Sequence, residues 1–586
     1  MNPITMKRER GVALLALLAV IMLVASWFLV SKLNSESGGI AAANRARNAE
    51  VLNRAKQALI GYVAMQALNF GEDNPGSLPC PEAAGYFDNP GQEGQTASSC
   101  SLPKVGRFPW RTIGTEKLLD SASEPLWYVV SPGWAVTSSG FKTNINSNTL
   151  GQLTVDGVAN AAVALIIAPG PAFNVAASTS PVCAAKTQSR PTTGSPDWSN
   201  YLECENATYP TADTTFVTTG PSASFNDQVV RITVADIMPG IEAAIARRIE
   251  RNIVPTLKTV YTSTNWGSGI STTNPMFPFA APWSTSTYGP GPGTTAAPSS
   301  DYKGVAGTYQ GLFPFNQTVG CTASAADPRC NTSLHTFSKG GVDTRISGGG
   351  SVRTDSTCSW ASTLYVCTGQ YNQTSISLTF KLSISNVAMG LRTLDLTKVT
   401  CSAVDDVGNG IPLQSVACTS AAAMQTDGSL LITVTTNALP DVSGSGWGTY
   451  ANYMVSIDRT VIGDHAFLTD TSDAVAWFWR NEWYRLLYYA AAATNTAAQA
   501  TPSCTAGIDC LTVTNLTPSN NKRALLILAG RSISGATRPN GTLSDFVEFD
   551  NADLNTVFEK QPVSKGGGNA AAKKPFNDRV IVLDSN

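Results

Sequence analysis

KRERGVALLALLAVIMLVASWFLVSKL, Lys7 to Leu33, is the stretch on which the reading of the whole chain turns. Lys7, Arg8 and Arg10 precede a single glycine, Gly11, and the run from Val12 to Ser31 then carries no charge, Pro or Gly. At a rise of 1.5 Å per residue, about 20 apolar residues span the hydrocarbon core of a bilayer. The segment predicts a transmembrane helix over 12–35. Basic residues ahead of such a run keep that end in the cytoplasm, which places the bulk of the chain in the periplasm. Three processing routes are open: a secretory signal cut near Val24-Ala25-Ser26, an uncleaved anchor, or a short basic leader cut on the cytoplasmic side after its glycine. Run length and the helix-forming sequence that follows speak against the first.

Beyond Gly38-Gly39, where a break is expected, AAANRARNAEVLNRAKQALIGYVAMQALNF carries Val51, Leu52, Ala55, Leu59, Tyr62, Val63, Ala67 and Phe70 at helical spacing. Turn residues from Gly71 to Gly76 end that helix. Four segments follow one another: AKQALIGY (55–62), NPGSLPCPE (74–82), GRFPWRTIG (106–114) and PLWYVV (125–130). In this order, and behind a basic leader ending in Gly11, they resemble the prepilin-like family of minor pilins and type II secretion minor pseudopilins.

That resemblance implies a leader over Met1–Gly11, cleavage between Gly11 and Val12 by a prepilin peptidase, and methylation of the new terminus. It implies a long first helix packed on an antiparallel sheet, held in the inner membrane until it joins other pilin subunits in a filament. Most members carry glutamate at the fifth mature position, and here that position is Ala16. A carboxylate in the bilayer is costly without a partner, so a subunit with no neighbour above it has no use for one. Loss of this glutamate marks the tip subunit, as in the K-type minor pseudopilin of type II secretion. The implied function is filament assembly or initiation at the tip of a type IV pilus or pseudopilus, with adhesion or substrate contact. The alternative is a static membrane-anchored binding protein that never enters a filament.

Later sequence repeats the earlier. Strands are predicted over Leu126–Val130, Ala161–Ala168 and Phe225–Thr233, followed by a helix capped by Asp236 with Ile237, Ile241, Ala244, Ile245 and Ile249 on one stripe. NPMFPFAAP and GTYQGLFPF then echo NPGSLPCPE and GRFPW. WFWRNEWYRLLYYA stands where EPLWYVV stood, KRALLILAGR mirrors AAVALIIAPG, and Arg538-Pro539 mirrors Arg190-Pro191. DFVEFDNAD mirrors NYLECENAT, and PFNDRVIVLD mirrors SFNDQVVRIT. Matches in one order predict two copies of an α+β module. The second copy is interrupted by a Ser- and Thr-rich segment whose SISLTFKLSIS (375–385) and SLLITVTT (429–436) alternate with period two, predicting an inserted β-sandwich. GGVDTRISGGGS (340–351) reads as its most mobile part, and KGGGNAAAKK (565–574) as an exposed hairpin loop.

The expected architecture is therefore α+β, with a leader at 1–11, a membrane helix at 12–35 and a first module at 36–234. The second module spans 235–318 and 463–586 around an inserted β domain at 319–462.

Charged residues make up 14% of the chain and the formal net charge is −2, which argues against a nucleic-acid partner. Twelve cysteines fall into near neighbours: Cys80/Cys100, Cys183/Cys204, Cys321/Cys330, Cys358/Cys367, Cys401/Cys418 and Cys504/Cys510. No CxxC pair occurs, and an even count in an exported chain reads as disulfides, although sequence does not fix their pairing. His335 and His465 lie far apart with no nucleophile elbow, HExxH or P-loop, so no enzyme chemistry is expected. No cofactor is expected either, unless Asp405 and Asp406, with Asn409 nearby, ligate calcium. Arg247, Arg248 and Arg251 read as a solvated helix face rather than an anion site. The aromatic run Trp477, Phe478, Trp479, Trp483, Tyr484, Tyr488 and Tyr489 reads as a helix packed into the core.

Overall fold

A computed structural model describes residues 9–586 apart from 70, 97–99, 101–103, 136–143, 180–181, 191–197, 209–214, 219, 221, 223, 263–275, 284–301, 316–334, 373, 406–413, 442–449, 498, 500–501, 534–537, 539–542, 554 and 564–574. Side chains at 9–20, 28–38, 104, 182, 208 and 404–405 also lie outside the description. The fold is mixed α+β with many antiparallel sheets and a large all-β region. It divides into two units, one of residues 1–62, 77–142 and 150–237, the other of residues 63–76, 143–149 and 238–586.

One helix, Glu9–Leu68, enters both units, passing from the first to the second between Tyr62 and Val63. It runs straight through Gly38-Gly39, where a break was expected. Each glycine costs a helix only about 1 kcal/mol, too little to interrupt one of this length. The predicted membrane segment 12–35 lies in this helix, but side chains are described only at 21–27, where Ile21, Met22, Leu23, Val24 and Trp27 are exposed. Among the described residues no helix is long and apolar enough to cross a membrane. Leu52, Ala55, Leu59, Val63 and Ala67 are buried along one stripe, as the helical spacing requires.

In the first unit a four-stranded antiparallel sheet orders Lys104–Arg107, Trp127–Val130, Ala164–Ala168 and Gln228–Ile232 side by side. The strand expected over Ala161–Ala168 is two: Val158–Ala162 pairs with Leu153–Val155, and Ala164–Ala168 turns into the main sheet. Val163, between them, donates its N–H to Ile232 O at 2.8 Å. Asn48 on the first helix accepts the Ser121 N–H at 2.6 Å, and Lys56 pairs with Asp236 at 3.0 Å. The next helix begins at Val234, and its cap is Thr233 rather than Asp236. Thr233 Oγ1 accepts the Asp236 N–H at 3.2 Å while Asp236 Oδ2 accepts the Thr233 N–H at 2.9 Å, a reciprocal capping box.

The second unit holds a sheet of the same order, Gln310–Leu312, Leu487–Ala491, Lys522–Leu528 and Arg579–Ser585, again antiparallel throughout. Registers agree as well. Trp127 faces Ile167, which faces Val229; Tyr488 faces Ile527, which faces Val580. Gly106 and Gly311 hold matching places on the edge strands. A Cβ on Gly106 would lie 2.7 Å from Pro81, and one on Gly311 2.1 Å from Ala281 O. A short parallel ladder flanks each sheet, Leu153–Val155 with Thr215–Phe216 and Thr512–Thr514 with Val557–Glu559.

Between the first two strands of the second sheet, two antiparallel sheets carry an apolar core of their own. Ile376–Ile384 and Leu430–Thr436 alternate buried and half-exposed residues, the period-two pattern of strands with one face covered. The Gly340–Ser351 segment is not loose, as expected, but supplies the strand Thr344–Gly348. Asp343, at its start, is buried and accepts from Ser356 N at 2.6 Å, Tyr453 Oη at 2.6 Å and Lys339 Nζ at 3.2 Å. This region joins the second sheet's surroundings through main chain: Phe279 N–H donates to Ala388 O at 3.0 Å and Gly304 N–H to Met389 O at 2.9 Å. The aromatic run is buried, yet it is not one helix. Ala476–Arg480 is α-helical, Glu482 turns the chain at φ 55, and Leu487–Ala491 is the central strand.

Arg248 was expected in solvent and is fully buried. Its guanidinium stacks 4.4 Å from the Trp477 ring, and Nη1 donates to Ala67 O at 3.3 Å and Glu72 O at 2.8 Å. These acceptors include a carbonyl in the last turn of the first helix, which has no intrahelical partner. We expect Arg248→Ala to cost about 3 kcal/mol in urea unfolding of the full chain, through two lost charge-assisted hydrogen bonds and a cavity. Arg247→Ala, on the exposed side of the same turn, should change stability by less than about 0.5 kcal/mol.

Candidate functional site

The sequence-predicted positions disperse. Gly11, Val12 and Ala16 lie in the first helix with side chains outside the description, and Cys321, Cys330, Asp406 and Asn409 lie outside the described residues, as does KGGGNAAAKK. Asp405 ends the strand Val399–Asp405 with its side chain likewise outside, and no metal-holding cluster occurs among the described residues. Cys80–Cys100, Cys183–Cys204, Cys358–Cys367, Cys401–Cys418 and Cys504–Cys510 are bonded, each to its neighbour along the chain. His335 Nδ1 lies 2.8 Å from Ser385 O, and burial with nearby Arg392 pushes its pKa down to about 4. His465 accepts the Phe467 N–H at 3.1 Å, capping a short 3₁₀ turn, and burial lowers its pKa.

What the fold does bring together is a set of acids that the sequence reading passed over. In the first unit Glu203 and Asp227 are both buried. Glu203 Oε2 accepts the N–H groups of Asn226 and Asp227, each at 3.0 Å, and Oε1 accepts from Gln188 Nε2 at 2.6 Å. Asp227 Oδ2 in turn accepts from Glu203 N and Asn206 Nδ2, each at 3.1 Å. Asn206 completes its amide on Val217, accepting that N–H at 2.9 Å and donating to its carbonyl at 3.2 Å.

The second unit repeats the backbone and asparagine bonds of this arrangement. Glu548 Oε2 accepts Asn577 N at 3.0 Å and Asp578 N at 3.1 Å, and Asp578 Oδ2 accepts Glu548 N at 2.8 Å and Asn551 Nδ2 at 2.9 Å. Asn551 clasps Glu559 at 2.9 and 3.2 Å, the two distances of its counterpart. Above each pair an arginine ties the loop to the strand end. Arg190 donates to Gly170 O at 2.8 Å and Asn200 O at 2.6 Å, over the Tyr201 ring at 4.7 Å. Arg538 donates to Gly530 O, to Asp545 O at 2.6 Å and to Phe546 O at 2.8 Å, over the Phe546 ring at 4.6 Å. Cys204 and Phe549, next to the glutamates, share a positive φ of 52 and 50.

Within each pair the two carboxyls act on each other, and burial raises the pKa of both, which favours one proton held by the pair. Burial first, and then the neighbouring glutamate, raise Asp227 and Asp578 well above the usual carboxylate range. Oδ1 of each aspartate is buried with no hydrogen-bond donor among the described residues, an environment that disfavours its charge. With backbone N–H groups filling the other oxygens, the arrangement suits a proton and not a metal ion. The signal was present in the repeats, where Glu-x-x-Asn and Phe-Asn-Asp recur in aligned segments.

A further acid, Glu242, accepts from Ser147 Oγ at 2.9 Å and Arg531 N at 2.5 Å, and burial pushes it up to about 7. Compared with known proteins, the chain matches no family model, no curated protein and no solved structure.

These acids titrate higher in the folded chain than unfolded, where carboxylates ionise near pH 4. The folded state therefore binds more protons above that pH, and the stability they contribute is full below it and lost as pH rises through the folded values. Urea midpoints should fall as pH is raised from about 4, with the Glu242 contribution gone above about 7. Asp227→Asn and Asp578→Asn, which keep a permanent donor toward the glutamate, should each flatten that slope. An unchanged slope in both variants would show that the pairs carry no proton.

Proposed function

We propose that the protein is a prepilin-like minor subunit that acts at the tip of a type IV pilus or type II secretion pseudopilus. The observation that supports it most is the first helix. From Glu9 to Leu68 it is unbroken, its distal half buries Leu52, Ala55 and Leu59, and residues 42–47 are exposed all round. A helix that is bare for turns and packed for turns is built to leave a globular head and meet other helices. The two sheets of equal order and register, with their matching acid pairs, are read as two copies of one pilin-like module. A prepilin peptidase frees Val12, the apolar helix waits in the inner membrane, and packing against other subunits draws it into the filament. A head of this size is accommodated only where nothing stacks above it, in keeping with Ala16. The inserted sandwich then projects from the tip as the adhesive or substrate-contacting part.

N-terminal sequencing of membrane-purified protein from cells with and without the peptidase tests this reading. A start at Val12 that depends on the peptidase is expected. A leader retained in both strains would leave a static anchor and remove the filament role.

A further inference from the structure

A cleft of about 230 Å³ opens in the second unit between the helix after Thr233 and the last strand, with Arg247, Glu250, Lys560, Asp578 and Arg579 on its walls. Two of its cations have uncharged counterparts in the first unit. Arg579 faces Leu528 across the sheet as Gln228 faces Ala168, and each directly follows the aspartate of an acid pair. Lys560 follows Glu559, clasped by Asn551, as Thr218 follows Val217, clasped by Asn206. The second copy has thus gained two positive charges on one rim while keeping the scaffold beneath them.

The acids nearby hold none of them in an ion pair, although Glu242 acts on Arg579 and Glu250 shares the wall. Among the described residues Arg247, Lys560 and Arg579 form no salt bridge. Arg579 Nη2 donates to Pro239 O at 3.1 Å, and its Nε is buried without a partner. Burial lowers the Arg579 pKa, and Arg247 lowers it further against the opposite pull of Glu242. Asp578 is engaged by Glu548 and Asn551, while Glu242 is engaged through Oε1 by Ser147 and Arg531 and keeps a buried Oε2 without a hydrogen-bond partner among the described residues. Glu250, exposed on the helix, is the remaining acid of the wall. Two guanidinium forks and an ammonium around so small a volume match an oxyanion carrying two charges, because guanidinium binds such oxygens in pairs.

We propose that this cleft binds a phosphate group, as inorganic phosphate or as a phosphomonoester. The test is isothermal titration of the detergent-solubilised full chain with inorganic phosphate and with glycerol 3-phosphate, at fixed ionic strength set by sodium chloride. Saturable one-to-one binding is expected. Arg579→Gln and Lys560→Thr install the residues with which the first copy folds, and each should weaken binding about tenfold, or about 1.4 kcal/mol. Arg54→Ala, a surface cation elsewhere, should leave binding unchanged, and thermal unfolding of each variant reports its fold. Glycerol 3-phosphate that competes identifies an esterified ligand, and binding of inorganic phosphate alone identifies the free ion. Absence of saturable binding, or equal affinity in folded Arg579→Gln and Lys560→Thr, overturns the proposal.

Discussion

In both four-stranded sheets the last strand enters through two consecutive backbone N–H groups that end on one glutamate carboxylate. Everything near that point depends on it. The N–H groups precede the strand ladder and are buried or partly so, and their acceptor is found off the sheet. A glutamate from the preceding loop provides it, and is itself tolerable in the interior only because its own N–H and an asparagine amide satisfy the aspartate opposite. The asparagine then fixes the short side ladder, and the arginine fixes the loop to the end of the third strand. Gly170 and Gly530 are held by the same logic, since a Cβ on either would lie 2.9 and 2.4 Å from the asparagine that starts the last strand. Remove the carboxylate and four separate segments lose their common anchor.

How much of this was legible in the sequence follows from what kind of pattern each feature leaves. Strands covered on one or both faces leave apolar runs or alternation, and Trp127–Val130, Ile376–Ile384 and Leu430–Thr436 lie where those patterns put them. Two sheets of one strand order and register also hold the segments that recur in the sequence. Features decided by tertiary contact did not. Arg248 looks like its neighbours Arg247 and Arg251 until the end of the first helix and the face of Trp477 are brought beside it. Trp477 to Tyr489 has helical spacing, yet the strand pairing of Leu487–Ala491 outweighs it. Glu203 and Asp227, 24 residues apart, carry no local signature as a pair, and only the recurrence of Glu-x-x-Asn and Phe-Asn-Asp in the aligned segments points to them.

The large all-β region between Leu312 and Leu487 illustrates where a fold can accept further chain. It enters between two strands that are antiparallel neighbours, Gln310–Leu312 and Leu487–Ala491, whose facing ends are already close. Lengthening a connection there adds little closure entropy, since that cost grows only with the logarithm of loop length. This all-β region is more than tethered, however. Its Asn386–Gly390 segment docks through two main-chain hydrogen bonds and through Met389, packed with Met276, Phe279 and Ala497. A buried ion pair, Arg392 to Asp464 at 2.8 Å, lies in the small ladder at its base.

The disulfides carry a different implication. The five described bonds join cysteines separated by 20, 21, 9, 17 and 6 residues, and in every case the next cysteine in line. A chain that emerges N-terminus first from a narrow exit therefore presents each thiol with its correct mate before any wrong one from a later pair has appeared. An oxidant acting on the growing chain writes this pattern directly, and no shuffling enzyme is required to correct it.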